Sequence, residues 1–201
     1  MKVDFDNYSA TAYTFYPKNI SPIQDLDKYL DSTEYKKLLS FLSQDKDIYG
    51  TDDLSSIMDE IGLEFDSVVE DVTVPSWHDR CINLQFLLNS RENESKKNVA
   101  CINLSKLDRV YLVYILEVEY DEKLNRLKYL PRRNKLLEST EFNSHITTIK
   151  WILENRLENM REFPDDLIDR ILPDIGFQDI DLGRFTMFNC FFLNNFTTRF
   201  A

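Results

Sequence analysis

The sequence predicts a single α+β domain in which helices pack on an antiparallel or mixed central sheet. Two stretches in the middle of the chain, residues 82–88 and 110–120, alternate with a period of two, as strands do. Residues 141–160 instead place apolar side chains every three or four positions, which is typical of a helix packed on one face. The 201 residues contain no internal repeat and no low-complexity linker. Helices segregated from consecutive antiparallel strands favour an α+β fold over a doubly wound one.

The domain divides into an N-terminal helical and acidic part, residues 17–75, and a sheet-forming part, residues 76–201. Residues 3–16, which precede both, are rich in aromatic side chains, and we predict extended structure there. Three helices follow, and Ser21-Pro22, Ser32 and Thr51 are their expected starting points. Ser and Thr cap helix N-termini well, and Pro fits the first helical position. The third helix is expected to end at Gly62.

The sheet-forming part is predicted to hold strands at residues 82–88, 99–104, 110–120 and 124–130. Residues 110–116 are apolar on both faces, which indicates an interior strand. Residues 185–193 are also apolar on both faces apart from Thr186 and Asn189. We therefore expect a second interior strand at 185–193, with the helix at 141–160 packed against the sheet.

The charge is distributed unevenly along the chain. Of the net −11, residues 45–75 contribute −9, because ten acids there are accompanied by Lys46 alone. A surface this negative repels nucleic acid and anionic membranes and attracts basic proteins. A solvated face that maintains solubility is the alternative interpretation. The opposite charge gathers between Lys123 and Lys135, which we interpret as a solvated hairpin.

The sequence holds no recognisable catalytic or metal site, so we predict a non-enzyme that needs no cofactor. It lacks a P-loop, a dinucleotide-binding fingerprint, a nucleophile elbow and an EF-hand loop. Cys81, Cys101 and Cys190 lie far apart in apolar runs, which predicts buried, reduced thiols. Zinc needs about four closely spaced ligands, and these three separated cysteines and the two distant histidines do not supply them.

The two histidines are expected to have no catalytic role. His78 belongs to the tetrad Ser76-Trp77-His78-Asp79, close to Cys81, but catalytic partners normally meet across a fold rather than along the chain. His145 lies beside the apolar stripe of the helix at 141–160, where packing or a surface position is the simpler interpretation.

A metal-dependent hydrolase or nuclease is the alternative class of function. Asp179 and Asp181, or Glu117 and Glu119, place two carboxylates on the same side of an extended chain, where Mg²⁺ could bind them. The order Pro-Asp followed by acid-x-Lys, which a nuclease of this type would show, is absent. Residues 121–123 supply the acid and the lysine, but they precede both Pro-Asp pairs.

A cytoplasmic protein is expected. The first 16 residues carry acids before any apolar run, unlike a signal peptide. The longest apolar runs have the length of strands and fall short of the ~18 residues of a membrane span. An odd number of separated cysteines fits a reducing compartment. We therefore expect neither a membrane nor a nucleic acid as partner, and the sequence does not indicate the oligomeric state.

In being small, acidic and without an active site, the chain resembles the immunity proteins of bacterial polymorphic and contact-dependent toxin systems. The segments that carry the resemblance are Tyr16-Pro17-Lys18-Asn19-Ile20 and Gly183-Arg184-Phe185-Thr186-Met187-Phe188-Asn189-Cys190. The resemblance carries no functional residue across. It implies a non-catalytic inhibitor that neutralises a basic toxin by occluding its active site. A structural or adaptor protein without inhibitory action is a further alternative.

The acidic segment is the predicted binding site for a basic protein partner. Acids at such a surface accelerate association, and aromatic side chains among them would supply the desolvated centre. The predicted acids are Asp45, Asp47, Asp52, Asp53, Asp59, Glu60, Glu64, Asp66, Glu70 and Asp71. The predicted aromatic anchors are Tyr49, Phe65 and Trp77.

Overall fold

The computed structural model describes residues 2–43, 50–75, 78–88, 96–121, 126–130 and 140–196. Within these ranges seven helices surround one six-stranded sheet, so the α+β fold is confirmed. The helices are α1 (Lys2–Phe15), α2 (Leu26–Asp31), α3 (Thr33–Ser43), α4 (Thr51–Phe65), α5 (Thr140–Arg156), α6 (Asp165–Ile168) and α7 (Met187–Phe191). The strands are β1 (Glu70–Asp71), β2 (Cys81–Leu88), β3 (Lys96–Ser105), β4 (Val110–Asp121), β5 (Arg126–Leu130) and β6 (Arg161–Glu162).

The sheet is mixed. Strands β1 to β5 lie in chain order, and each pairs antiparallel with the next. The short strand β6 pairs parallel with the start of β4, where Val110 lies opposite Arg161. β3 and β4 carry the longest paired stretches and form the centre of the sheet.

Strand β4 is the interior strand that the alternating pattern predicts. Its even-numbered residues from Val110 to Val118 are buried in a first core on one face of the sheet. Tyr111, Val113 and Ile115 are buried in a second core on the other face. Because both faces are covered, β4 is apolar on two sides wherever helices pack above and below it.

Different helices cover the two cores. The second core lies under α4 and α5, which contribute Ile57 and Ile61, and Ile149 and Leu153, respectively. The first core lies under α1, α2, α3, α6 and α7 together with the segment at 172–177, and it is rich in aromatic side chains. The sheet therefore separates an aliphatic two-helix layer from a larger aromatic one.

The extended segment predicted at residues 3–16 is wrong, because this stretch is helix α1. Phe5, Tyr8, Ala12 and Phe15 are spaced by three or four residues and share one helical face. Tyr8 packs its ring 4.9 Å from that of Phe163. The β propensity of aromatic residues suggested a strand, but the burial of one helical face decides the conformation.

The interior strand predicted at residues 185–193 is also wrong. This run contains the five-residue helix α7, and all five of its side chains are buried. A capping box starts the helix. Thr186 accepts a hydrogen bond from the Asn189 backbone N–H at 3.3 Å, and the Asn189 side chain accepts one from the Thr186 backbone N–H at 2.9 Å. A helix buried on every side has no polar face, so its period is invisible in the sequence.

Two of the three expected helix starts in the acidic part are confirmed, at Ser32 and Thr51, but the start at Ser21-Pro22 is wrong, because residues 22–24 form a turn and α2 begins at Leu26. Ser32 caps α3 through its side chain, which accepts a hydrogen bond from the Tyr35 backbone N–H at 3.3 Å. α4 continues beyond Gly62 to Phe65 and ends at Asp66, which adopts a left-handed backbone with φ 45°. The Asp66 backbone N–H donates to the Gly62 carbonyl, which satisfies the helix end.

A buried arginine joins the start of β2 to α7. Arg80 is 1% exposed, and its guanidinium donates from Nε and Nη2 to the Asn189 carbonyl at 3.2 and 2.8 Å. Nη2 also donates to Asn194 Oδ1 at 2.9 Å, and Nη1 donates to the His78 carbonyl at 3.3 Å. The guanidinium carbon lies 4.6 Å from the centre of the Phe177 ring. Within the described residues Arg80 has no carboxylate partner, so carbonyl dipoles and an aromatic face solvate its charge.

Arg80→Met is expected to lower the free energy of unfolding by about 3 kcal/mol or more, because buried carbonyl groups lose their donors. Urea or guanidinium unfolding followed by circular dichroism measures the change. Arg109→Met is the matched control, since Arg109 is exposed and, among the described residues, its side chain makes one hydrogen bond, from Nη1 to the Glu158 carbonyl at 3.3 Å. A control change below about 1 kcal/mol is expected. Equal losses in the two variants would contradict the central role of Arg80.

Candidate functional site

Helix α4 positions most of the predicted acidic residues that the structure describes. Leu54, Ile57, Met58, Ile61 and Phe65 turn toward the second core, whereas Asp53, Asp59 and Glu64 are exposed. Each residue advances about 100° around a helix, which places side chains two positions from a core residue on the far side. The acids of α4 are therefore held on its outer surface by the same packing that buries its apolar stripe.

Four exposed carboxylates define what we call the α4 face: those of Asp53, Asp59, Glu64 and Asp66. In the described part of the chain, none of the four forms an ion pair or a side-chain hydrogen bond. Glu60 differs from them, because its Oε2 lies 2.7 Å from Arg156 Nε of α5. No cation in the described part of the chain therefore neutralises the negative charge of the α4 face.

Two apolar side chains stand among these carboxylates. Leu63 is 85% exposed and Val68 is 77% exposed. Leu63 lies two residues beyond the buried Ile61, on the outer side of α4. Val68 follows the end of the helix and directly precedes Val69, which is buried. Acids surrounding exposed apolar groups are the composition of a binding surface with a desolvated centre and a charged rim.

The other predicted site residues have varied positions. Asp45, Asp47, Tyr49 and Trp77 lie outside the described residues, as does the side chain of Asp52 on α4. Glu70 and Asp71 form β1, at one edge of the sheet. The Asp71 carboxylate accepts hydrogen bonds from the backbone and side chain of Thr73, so it organises the turn after β1.

Phe65, one of the three predicted anchors, faces inward. Its ring lies 5.2 Å from that of Phe86 on β2 and 5.4 Å from that of His145 on α5. Phe65 thereby packs the end of α4 onto the second core. The apolar groups exposed at the α4 face are instead Leu63 and Val68, which the sequence-based prediction did not include.

Trp151 is a further exposed aromatic residue that the sequence-based prediction omitted. It is 61% exposed on α5, two positions from both Ile149 and Leu153, which are buried. That spacing alone places it on the outer side of the helix. The sequence could have shown that Trp151 faces outward, because it lies two positions from Ile149 and Leu153. Its relevance to the site follows only from the packing of α5 beside α4, which the sequence does not show.

The residues that looked most reactive in the sequence have structural partners. The His78 carbonyl accepts a hydrogen bond from Arg80, and Asp79 Oδ2 accepts one from the Val74 backbone N–H at 2.7 Å. Burial raises the pKa of the Asp79 carboxyl. His145 packs its ring edge-on against Phe65. These contacts tie the histidines and Asp79 to the packing of loops and helices.

Two of the four carboxylates of the alternative hydrolase hypothesis, those of Asp179 and Asp181, are likewise engaged, and the side chain of Glu119 lies outside the described residues. Asp181 Oδ1 accepts hydrogen bonds from the Ser21 hydroxyl at 2.6 Å and from the Leu182 backbone N–H at 2.8 Å. The Ser21 bond is the main reason why the pKa of Asp181 lies below its usual range. Asp179 Oδ1 accepts a hydrogen bond from Asn194 Nδ2 at 2.9 Å. Over the described ranges, no group of three His, Cys, Asp or Glu side chains is placed to hold a metal ion.

Comparison with known proteins adds no relative: no protein-family model, no curated protein and no solved structure matches this chain. None of the described helices combines the length and the apolar character that crossing a bilayer requires. The α4 face and the residues beside it therefore stand as the candidate functional site on their own geometry.

The three cysteines are buried and free, as the apolar contexts predict. Burial raises the pKa of the Cys81, Cys101 and Cys190 thiols well above the usual range, so each thiol stays neutral at pH 8.

We expect a thiol reagent such as 5,5′-dithiobis(2-nitrobenzoic acid) to label none of these three cysteines within minutes in the native protein. In urea it should label all three. Rapid labelling of any native thiol at pH 8 would show that it is reactive and accessible.

Proposed function

We propose that this chain is a non-catalytic immunity or inhibitor protein that binds a basic toxin domain and occludes its active site. The observation that carries the proposal is the α4 face, whose four exposed carboxylates have no cationic partner among the described residues and are accompanied by the exposed apolar side chains of Leu63 and Val68. Toxins that act on nucleic acids or other anionic substrates present cationic sites. An acidic surface on the inhibitor is complementary to such a site.

The arrangement of the acids lowers the stability of α4. Glu60 and Glu64 are four residues apart on α4, and like charges at that spacing destabilise a helix. Arg156 relieves Glu60 but leaves Glu64 with no ion pair among the described residues. A helix selected for stability alone would intersperse bases among its acids. Retained, unneutralised charge supports a role in binding over a role in solubility.

The apolar residues account for the affinity of the complex, and the acids account for its rate of association. Complementary charge raises association rates, whereas buried apolar contacts at the centre of an interface slow dissociation. Leu63 and Val68 provide such contacts next to the exposed carboxylates of Glu64 and Asp66. An adaptor protein would use the same surface, so protection of cells from a toxin is what separates the two hypotheses.

The direct test is to co-express this chain with the C-terminal domain encoded by the gene directly upstream of its own, where a cognate toxin is expected. Growth should be restored by the wild-type chain. A variant with Asp53→Asn, Asp59→Asn, Glu64→Gln and Asp66→Asn should associate with that domain about tenfold more slowly at low salt, because electrostatic steering is lost. Asn at position 66 retains the left-handed backbone well. Stopped-flow or surface plasmon resonance at low and high salt measures the rate, and the difference should fade as salt rises.

A matched control changes the net charge equally at a different place. Asp25, Asp27, Asp166 and Asp169 are also exposed, and they lie on α2, on α6 and next to them. Replacing these four with Asn should leave the association rate within about twofold of wild type. If both variants slow association equally, net charge rather than the α4 face governs binding. If the wild-type chain neither binds nor protects against the neighbouring toxin, the proposed function is wrong.

A further inference from the structure

Helices α4 and α5 lie side by side and antiparallel over the second core. Glu60 of α4 meets Arg156 of α5, with 2.7 Å between Oε2 and Nε. Five residues further along α4, Phe65 meets His145, eleven residues earlier in α5. Residue numbers rise along one helix as they fall along the other, so the two helices form one outer layer with opposite directions.

These two contacts place Leu63 and Trp151 at the same level of the helix pair. Leu63 lies between Glu60 and Phe65 on α4, and Trp151 lies midway between His145 and Arg156 on α5. Both side chains point outward, with 85% and 61% of their surface exposed. Packed helices have axes about 8–10 Å apart, so the two side chains flank the shallow groove between α4 and α5.

The two sides of this groove differ in charge. On α4, Asp59, Glu64 and Asp66 are exposed around Leu63. On α5, the residues one helical turn from Trp151 are the uncharged Thr147, Thr148 and Asn155, and Glu154, whose carboxylate accepts a hydrogen bond from the Tyr111 hydroxyl. The α4 wall of the groove is therefore the more acidic of the two walls, and Leu63 and Trp151 supply the exposed apolar groups on its two sides.

We propose that the α4–α5 groove docks an amphipathic helix of the partner, whose apolar stripe seats between Leu63 and Trp151 and whose Lys and Arg residues face α4. The inference rests on the proposed function and specifies how the basic partner is recognised. Helix-in-groove binding uses apolar anchors at positions i, i+3 or i+4 and i+7, and here the charge asymmetry fixes the orientation of the polar edge. A second copy of this chain is disfavoured as the occupant, because it would bring one acidic wall against another.

The test uses two tryptophan-free, fluorescein-labelled helical peptides with the same apolar stripe, one of Leu and Lys and the other of Leu and Glu. Anisotropy titration measures affinity for the full chain. The Leu/Lys peptide should bind, and Trp151→Ala and Leu63→Ala should each weaken it about tenfold or more, as central interface anchors do. Leu26→Ala is the matched control, since Leu26 is 52% exposed on α2, which packs on the other face of the sheet. It should leave the affinity unchanged.

A second readout reports on Trp151 directly. The chain has two tryptophans, so Trp77→Phe makes Trp151 the sole one, once this variant has shown the wild-type unfolding midpoint. Binding of unlabelled Leu/Lys peptide should shift its emission to shorter wavelength and protect it from acrylamide. If the peptide binds through the four carboxylates of the α4 face but Trp151 emission stays unchanged and both alanine variants bind normally, the groove is not the site, while the acidic-face function stands. If the two peptides bind equally or neither binds, recognition of a basic helix is wrong altogether.

Discussion

The burial of the Arg80 guanidinium is the constraint on which the aromatic half of the structure depends. Moving such a charge out of water costs several kcal/mol unless its donors find acceptors. Those acceptors are more than 100 residues from Arg80 in the chain, since the Asn189 carbonyl belongs to α7 and Asn194 follows that helix. Asn194 in turn donates to Gln178 at 2.7 Å. Arg80 is therefore solvated only when β2, α7 and the loop at residue 178 are assembled together, which makes the fold of this half all-or-none.

The sequence predicted those elements whose two faces have different surroundings or whose pattern is long. β4 shows its alternation over twelve residues, and α5 shows its stripe over four turns, so both were recognisable. α1 and α7 were missed for opposite reasons. In α1 the aromatic residues suggested a strand although they sit at helical spacing, and in α7 complete burial erased any polar face. Tertiary packing decided both conformations, and packing partners 150 or more residues away leave no local signal.

The candidate site was predictable in its charge but not in its shape. The run of acids in residues 45–75 is visible in the sequence, and the outward acids of α4 follow from the helical stripe of Leu54, Ile57 and Ile61. The apolar groups beside them were not predictable. Whether Phe65 or Leu63 faces the core depends on where Phe86 lies, and the significance of Trp151 depends on α5 lying next to α4. Such neighbours are set by the sheet, which residues far along the chain build.

The separation of the two cores by the sheet bears on how such a protein can diverge. The outer positions of α4 and α5 touch neither the Arg80 network nor the aromatic core, because β2, β3 and β4 stand between them. Substitutions there change charge and shape at little risk to folding, since exposed sites usually shift stability by only about 0.5 kcal/mol. A lineage can therefore retarget this surface by single point mutations, one side chain at a time, while the scaffold beneath it stays intact. Rapid divergence in sequence on one layer, combined with strict retention on the other, is the evolutionary signature that this architecture permits.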